Sequence, residues 1–337
     1  MIYCKSYRGI TSEGIGGLHE GRIYGVNSEG YDDVKLHDLV DTKDPNAVLG
    51  EALIVANLIH PGFDSTFIKR LFVDIVRLFR GDYPGYRHST TQYHDLQHTA
   101  EVMLCGIRLL HGAFVSGAVN NGLRISARTT ELCLVSALIH DVGLIQEEDD
   151  HNGTGAKFTI GHEKRSVNFL EHYFREAGRS EQDIYDSARM VDSTCLGAKA
   201  NDILYTNKEA RFGANILATA DLLAQMGDRE YLEKLLLLYL EFEEAGLPYE
   251  SPYDLLEKTH GFYTLMLDRM DGPLGGARRF SKAHFLARWS IDKDLYESSI
   301  QANMSYLYEV LKESPQSYLD KLKRGGIVLN LSEITRA

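Results

Sequence analysis

Apolar residues recur three and four positions apart through most of the chain from about residue 46 onward, which is the period of an amphipathic helix. One stretch shows this period clearly and is closed by Gly81 and Pro84, residue types that interrupt helices. Its apolar positions are Phe67, Leu71, Ile75, Leu78 and Phe79. The chain has only seven prolines among 337 residues, so most of it can remain helical. These features predict an all-α fold in which several helices form a bundle.

The same period gives an expected position for each helix. A helix is expected from a cap at Asp64 or Ser65 up to Gly81, and Ser281 and Asp294 are the expected caps of the last two helices. The other expected helices cover residues 46–60, 93–110, 130–140, 163–177, 181–193, 210–226, 229–245, 282–289 and 295–313. The polar stretch 146–161 predicts a loop. Strand signals are weak and are confined to residues 21–26 and 327–331.

Composition divides the chain into three parts. The first 50 or so residues are rich in Gly, Asp and Ser and have no sustained helical period. We therefore expect an irregular N-terminal extension over residues 1–55, a helical core over 56–245, and a helical C-terminal extension over 246–337 that packs on the core. Gly246 and Pro248 follow the last core helix in the order that is typical of a helix C-terminus.

The charge balance limits the kinds of partner. Lys and Arg number 36 and Asp and Glu number 48, so the net charge is −12. General nucleic-acid binding needs a cationic surface and is not expected. A small phosphorylated substrate remains compatible, because a bound metal ion can supply positive charge locally. The longest apolar run covers residues 235–240. It is far shorter than the roughly 20 residues that span a bilayer, so no membrane association is expected.

The N-terminus and the cysteines indicate a reducing compartment. The sequence MIYCKSYRGI lacks the apolar segment of a signal peptide. None of the four cysteines lies in a CxxC pair, and they are Cys4, Cys105, Cys133 and Cys195. We therefore expect free thiols and a cytoplasmic location. The oligomeric state cannot be read from the sequence.

Two histidines lie four residues apart in the stretch YHDLQHTAEV, residues 93–102. If the whole stretch is helical, the rings of His94 and His98 project from one face. Two imidazoles on one face can share a metal ion, or one can bind the metal while the other transfers protons. Surface or capping histidines have the same spacing, so this pair alone does not identify a site.

The His140-Asp141 pair directly follows the mostly apolar run 132–139 and is a second candidate. A carboxylate at the edge of the core is costly to bury without a partner. A divalent cation is a suitable partner, because it accepts imidazole nitrogen and carboxylate oxygen together. A solvated aspartate at a helix end is the alternative. Gly143 is expected to allow a sharp turn just after the pair.

Asp221 and His162 complete the set of candidates. Asp221 interrupts the otherwise apolar segment 216–223, and the alternative is a place on the polar face of an amphipathic helix. His162 opens a helix after the polar loop, where the helix dipole favours the neutral imidazole. Neutral imidazole is the form that binds metals. A solvated loop histidine is the alternative for this position.

In chain order, His98, the His140-Asp141 pair and Asp221 resemble the ligand pattern of the HD-domain superfamily of metal-dependent phosphohydrolases. The stretch YHDLQHTAEV looks like the YHNxxHAxxV motif of the class I cyclic-nucleotide phosphodiesterases, with Asp95 at the usual asparagine. The resemblance covers about residues 60–245. The DxxHPG stretch of those phosphodiesterases is missing after the His-Asp pair, which makes the chain more similar to bacterial HD-domain proteins.

The resemblance implies a role for each candidate. The implied metal ligands are His98, His140, Asp141 and Asp221. Asp141 would bridge to a second ion, and His94 would donate a proton to the leaving oxygen. By the same resemblance, the His162-Glu163 pair supplies a further contact to metal or phosphate. The implied cofactor is one or two divalent ions, because mixed His and Asp ligands suit Zn, Mn, Fe, Co or Ni, and Mg where carboxylate and water dominate.

The implied function is hydrolysis of a phosphoester by metal-activated water. The implied substrate is a small phosphorylated molecule, and a cyclic or other nucleotide is a candidate. Lys164 and Arg165 are candidates for stabilising the phosphate charge, although solvated helix residues would give the same pattern. Two other functions stay open. One is an HD-type di-iron oxygenase, and the other is a helical regulatory module that binds metal without catalysis.

Overall fold

The computed structural model describes residues 33–118, 122, 124–198 and 202–329. Eleven α-helices lie within these ranges: α1 (Pro45–Ile59), α2 (Thr66–Arg80), α3 (Leu96–Val115), α4 (Ala127–Ile139), α5 (His162–Glu176), α6 (Glu181–Asp192), α7 (Lys208–Gly227), α8 (Tyr231–Glu244), α9 (Pro252–Asp271), α10 (Phe280–Trp289) and α11 (Leu295–Val310). The same ranges contain no strand, only an isolated bridge between Tyr86 and Glu147. The predicted all-α multi-helix bundle is therefore confirmed.

Polar side chains fix the first residues of the helices that carry the candidate ligands. The Asp95 carboxylate accepts a hydrogen bond from the backbone amide of His98, which starts α3. The Ser126 hydroxyl accepts one from the amide of Thr129 and starts α4. The Asn207 side chain likewise accepts two amide hydrogen bonds at the start of α7. These caps set the helix registers and therefore the direction in which each candidate ligand points.

Helix α3 lies at the centre of the bundle. It packs against α1, α4, α7 and α10. Nearly every residue from His98 to Ala113 is buried, including Gly106 and Gly112. A helix that is covered on all sides belongs to the core rather than to the surface. At Gly106 the surrounding helices come close enough that an added Cβ would lie 3.8 Å from the Ala220 Cβ of α7 and the Cys133 Sγ of α4.

Several expected boundaries differ from the structure. The helix expected over residues 93–110 begins only at Leu96, because Asp95 acts as its N-cap. Helix α9 was not expected as a separate element, although Ser251 as N-cap and Pro252 at the first position are typical of a helix start. Asp294 caps α11 as expected, but Ser281 lies inside α10, where its hydroxyl donates to the Arg278 carbonyl.

The weak strand signals are not borne out where they can be compared. Residues 327–329 are helical, so the strand expected over 327–331 is wrong there, and residues 21–26 and 330–331 lie outside the described ranges. The loop expected over 146–161 is present and contains a short 3₁₀ turn, Gly155–Phe158. The division at residues 55 and 245 stays a prediction, and α1 runs through the first of these positions.

Two further expectations concern the cysteines and the membrane. Cys105, Cys133 and Cys195 are free thiols, as expected, and Cys4 lies outside the described ranges. Among the helices of the described ranges, none combines the length and the apolar character that a bilayer crossing requires.

The closest helix crossing provides a test of this packing. A Cβ added at Gly112 of α3 would lie 1.8 Å from the Phe280 carbonyl oxygen of α10. The Gly112→Ala variant must therefore separate the two helices, and we expect it to lower the free energy of unfolding by about 2–3 kcal/mol. Urea denaturation followed by circular dichroism measures this change.

The matched control is Gly261→Ala in α9, where an added Cβ would have no neighbour within 4 Å. Alanine is the better helix former, so this variant should gain up to about 1 kcal/mol. A Gly112→Ala variant as stable as the wild type would contradict the close crossing of α3 and α10.

Candidate metal centre

Three helices bring the predicted ligands together. His98 lies in the first turn of α3, His140 and Asp141 directly follow α4, and Asp221 lies in α7. The His98 Nε2 atom is 3.3 Å from Asp221 Oδ1 and 3.5 Å from Asp141 Oδ2. The His140 Nε2 atom is 3.1 Å from Asp141 Oδ2 and 3.8 Å from Asp221 Oδ1. Two imidazoles and two carboxylates therefore face one small volume.

Burial and unsatisfied atoms indicate that this cluster fits a metal ion. Ligand atoms of His98, His140 and Asp141 all lie within 4.8 Å of one another, and the three residues are buried. His140 Nε2 and Asp141 Oδ2 are in contact, but neither makes a hydrogen bond of acceptable geometry. Buried polar atoms normally have hydrogen-bonding or metal partners, so a further partner is expected for these two atoms. Nitrogen and carboxylate oxygen are the ligand types of divalent transition metals, and the group could therefore bind such an ion.

Backbone carbonyls fix the orientation of two rings. His140 Nδ1 lies 2.8 Å from the Ala137 carbonyl oxygen, and His162 Nδ1 lies 2.9 Å from that of Thr159. A carbonyl can only accept, so each Nδ1 donates its proton. The Nε2 atom of each ring is therefore the one directed at the cluster. Metal-binding histidines usually make this kind of outer hydrogen bond, which orients the ring and sets its tautomer.

Charge attraction holds the cluster together. Burial lowers the pKa of His140, but the Asp141 carboxylate and the more distant Asp221 outweigh this effect and raise that pKa to about 9. Burial raises the pKa of Asp141, yet the rings of His140 and His162 hold it well below its usual range. The attraction that favours protons on these rings also favours a divalent cation, which competes with the protons for the same lone pairs.

His162 contacts the other oxygen of the same carboxylate. Its Nε2 lies 3.1 Å from Asp141 Oδ1, so the two oxygens of Asp141 face different imidazoles. Burial lowers the pKa of His162, but the hydrogen bond and charge of Asp141 outweigh this effect and raise it. The adjacent carboxylate thus acts on this ring in the direction opposite to the helix dipole, and the expectation of a neutral imidazole at His162 stays a prediction.

His94 reaches the site without being part of α3. It lies just before the N-cap, yet its ring centroid is 6.0 Å from that of His98 and 6.2 Å from that of His162. His94 Nδ1 lies 2.6 Å from the Oε2 of Glu241, a residue of α8. Burial lowers the pKa of His94, but the charge and hydrogen bond of Glu241 raise it to about 9. The two rings are therefore brought together by a turn and a carboxylate, not by helical spacing.

Glu241 is a functional residue that the sequence analysis missed. Its second oxygen accepts a hydrogen bond from the Tyr93 backbone amide at 2.7 Å, so one carboxylate fixes both the chain and the ring of His94. The side chain is only 5% exposed. A usable signal was present, because Glu241 directly follows the longest apolar run, residues 235–240. The same kind of signal had indicated Asp221.

Gly143 allows α5 to approach the His-Asp pair. The chain turns tightly here, as expected, in the 3₁₀ turn Val142–Leu144, although the φ angle of Gly143 is not among the positive values. An added Cβ would instead lie 2.0 Å from the His162 carbonyl oxygen. Nearby, the Ser166 hydroxyl donates to the His140 carbonyl at 2.6 Å and accepts from the Gly143 amide at 2.8 Å. These contacts place His162 beside Asp141.

The two candidate phosphate contacts lie on α5 beyond His162. Arg165 donates to the carbonyl oxygens of Gly143 and Ile145 at 2.7 and 3.3 Å, and its Cζ lies 3.8 Å from the Phe158 ring centroid. These donors stabilise the 3₁₀ turn Val142–Leu144, which directly follows the His-Asp pair. Lys164 is exposed. Their roles toward phosphate stay predictions, whereas the other six candidates lie together: His94, His98, His140, Asp141, His162 and Asp221.

Metal retention tests this arrangement. Protein purified without chelators should carry about one or two equivalents of a divalent transition metal. Asp141→Asn keeps the shape of the side chain but removes the negative charge that faces His140 through Oδ2 and His162 through Oδ1. We expect it to retain at least tenfold less metal, measured by inductively coupled plasma mass spectrometry at equal protein concentration.

The control for metal retention is His172→Ala, an exposed histidine of α5 that pairs with Glu176 and lies outside the cluster. It should keep the wild-type metal content. Circular dichroism establishes that both variants are folded. Equal metal content in Asp141→Asn and wild type would show that the metal is bound elsewhere.

Comparisons with known proteins add no further assignment. No family model matches the chain, and no match was found among curated proteins or among solved structures. The resemblance to the HD-domain superfamily therefore rests on the motif residues themselves. The structure adds a helical bundle with a buried His-His-Asp group, His98, His140 and Asp141, that could bind a metal ion.

Proposed function

We propose that this protein is a metal-dependent phosphohydrolase that cleaves a phosphoester with water as the nucleophile. One observation carries the proposal. A mixed cluster of imidazoles and carboxylates lies beside a separate imidazole, His94, which is held by its own carboxylate, Glu241. A metal-binding protein without catalysis needs the cluster but has no need of a second, separately positioned ring. The cluster would hold a metal ion that activates water and the phosphoryl group, and His94 would supply a proton.

The ligand set suits one ion and allows a second. His98, His140, Asp221 and the Oδ2 of Asp141 would hold the first ion. The Oδ1 of Asp141 faces His162, and this pair would contribute to a second. A divalent ion bound there would act as a Lewis acid that activates water at neutral pH and offsets negative charge on the phosphoryl group. The buried carboxylates would hold the cation, and the buried surroundings would limit the access of bulk water.

His94 is suited to donate the proton that the leaving oxygen needs. Its Nδ1 is committed to Glu241, and its Nε2 makes no hydrogen bond within the described part of the chain. With a pKa of about 9, the ring carries both protons at neutral pH. The Nε2 proton is then available to an oxygen in the site. General-acid catalysis of this kind contributes roughly a hundred- to ten-thousand-fold in rate.

The proposed substrate is a small phosphorylated molecule, with nucleotides included. A net charge of −12 disfavours long anionic polymers, so the positive charge that attracts the substrate must be local to the site. A second function is supported by one observation. The two oxygens of Asp141 facing different imidazoles would also fit a bridged pair of iron ions, as in an HD-type di-iron oxygenase.

Hydrolysis assays test the proposal. The wild-type protein loaded with Mn²⁺, Zn²⁺ or Fe²⁺ should hydrolyse bis(p-nitrophenyl) phosphate, and Asp141→Asn should not. His94→Asn should bind metal normally but lose about 10²–10⁴-fold in kcat on a cyclic nucleotide, whose alkoxide leaving group needs a proton. The loss on the nitrophenyl ester should be smaller, because nitrophenolate leaves readily without one.

The remaining outcomes of these assays separate the alternatives. Iron-dependent oxygen uptake without phosphate release would favour the oxygenase. Tightly bound metal with neither activity would favour the non-catalytic module. His172→Ala, on the exposed side of α5, serves again as the control and should have wild-type activity.

The pH profile tests the role of Glu241. Its carboxylate raises the pKa of His94, so the ring is protonated below about pH 9 and activity should fall as the pH rises through this value. Glu241→Gln removes the charge, burial then lowers the pKa, and the alkaline limb of kcat/KM should move down by about one pH unit or more.

The control for this profile is Glu243→Gln, an exposed residue of the same helix that binds Tyr239. Its alkaline limb should coincide with that of the wild type. An unchanged limb in Glu241→Gln would exclude His94 as the proton donor, whereas a loss of metal in that variant would assign Glu241 to the metal centre.

A further inference from the structure

Arg108 is a buried cation of α3 that has no carboxylate partner within the described ranges. The residue is 2% exposed. Among the described residues, its side chain makes one hydrogen bond, from a terminal nitrogen to the Tyr296 hydroxyl at 3.1 Å, and its Nε makes none. Burial of a guanidinium charge without an anionic partner is strongly unfavourable. Some other group is therefore expected to compensate this charge.

Two other guanidinium groups of the bundle have more polar partners than Arg108. Arg288 of α10 binds the Glu51 carboxylate at 3.2 Å. Arg269 of α9 donates to the backbone carbonyls of Ser193, Cys195, Leu196 and Ala198. The Cζ of Arg108 instead lies 5.6 and 5.8 Å from the ring centroids of Phe285 and Tyr296. Aromatic faces attract a cation, but they do not satisfy its N–H donors.

Arg108 lines a cavity of about 50 Å³ between α3, α7, α11 and the residues that precede α1. A volume of this size holds about three or four waters, or the head of a small oxyanion. Tyr296 borders the cavity beside Arg108, and His37 and Arg229 provide further nitrogen groups. Leu104 supplies an apolar wall. The cavity is thus rich in groups that can donate hydrogen bonds.

Two carboxylates also line this cavity, and neither neutralises Arg108. Asp228 is already paired with Lys234, whose Nζ lies 2.5 Å from its Oδ2. Glu101 accepts a hydrogen bond from Gln97 at 2.9 Å. Burial, with a further contribution from Asp228, raises the pKa of Glu101 to about 7. Both carboxylates attract the same cation, Lys234, whereas neither forms an ion pair with Arg108 in the described part of the chain.

We propose that this cavity binds a small oxyanion, a carboxylate or phosphate group, with the Arg108 guanidinium as its main contact. The planar fork of arginine matches two oxygens of such a group and gives short charge-assisted hydrogen bonds. Tyr296 is placed to hold the guanidinium in position. None of the proposed metal ligands lines this cavity, so the site is separate from the proposed phosphohydrolase centre.

Anion binding to the full-length protein tests the proposal. Inorganic phosphate and acetate are titrated separately by calorimetry, with sodium chloride keeping the ionic strength constant. The wild type should bind at least one of the two saturably, and the tighter one identifies the class of anion. Arg108→Met keeps the length and packing of the side chain, and binding should weaken at least about tenfold, the loss expected for a charge-assisted hydrogen bond.

Two further variants make the result specific. Asp141→Asn removes the metal centre, where phosphate could also bind, and should leave the titration unchanged if the anion lies at Arg108. Arg108→Lys keeps the positive charge but lacks the two parallel N–H donors of the guanidinium, and it should also weaken binding. This variant provides the test if Arg108→Met does not fold. A titration abolished by Asp141→Asn but unaffected at Arg108 would place the anion at the metal centre and overturn the proposal. Absence of saturable binding in the wild type would overturn it as well.

Discussion

The buried carboxylate of Asp141 can exist in this bundle only because three imidazoles surround it. Its side chain is 4% exposed, and His98, His140 and His162 approach it to 3.5, 3.1 and 3.1 Å. These rings come from α3, the end of α4 and the start of α5. Loss of the rings would leave a charge in the interior without compensation, which is among the most destabilising changes a core can suffer. The charge of Asp141 is therefore compensated only when the elements that carry the three rings are packed together.

Helix α3 links this cluster to the rest of the core. Its first turn carries His98, its middle carries Arg108, and its last turns cross α10 at Gly112. Because the helix is covered on all sides, it cannot shift along its axis without disturbing several contacts at once. The candidate metal ligand His98 and the buried Arg108 are consequently held on one rigid element. Helix α5 is held against the His-Asp pair by the contacts of Gly143 and Ser166.

Much of this site could be predicted from the sequence, because a polar residue in an apolar helix is visible as a break in the pattern. His140-Asp141 and Asp221 were found in this way, and the structure places them together. Glu241 gave a comparable break and was missed. Arg108 gave no signal, since an arginine on a helix is usually exposed and its burial depends on α10 and α11 packing against α3. Local periodicity contains no information about such long-range contacts.

The first residue of α3 was also beyond local patterns. The spacing of His94 and His98 is compatible with a helix from Tyr93. The Asp95 carboxylate instead caps the N-terminus of α3, so the helix begins only at Leu96. His94 therefore belongs to a turn whose geometry is set by Glu241 of α8, whereas His98 is set by α3. The positions of two rings that are close in sequence are thus determined by different helices. Under the proposed function, substitutions in α8 would adjust the proton donor without changing the helix that carries His98, so turnover and metal affinity could evolve independently.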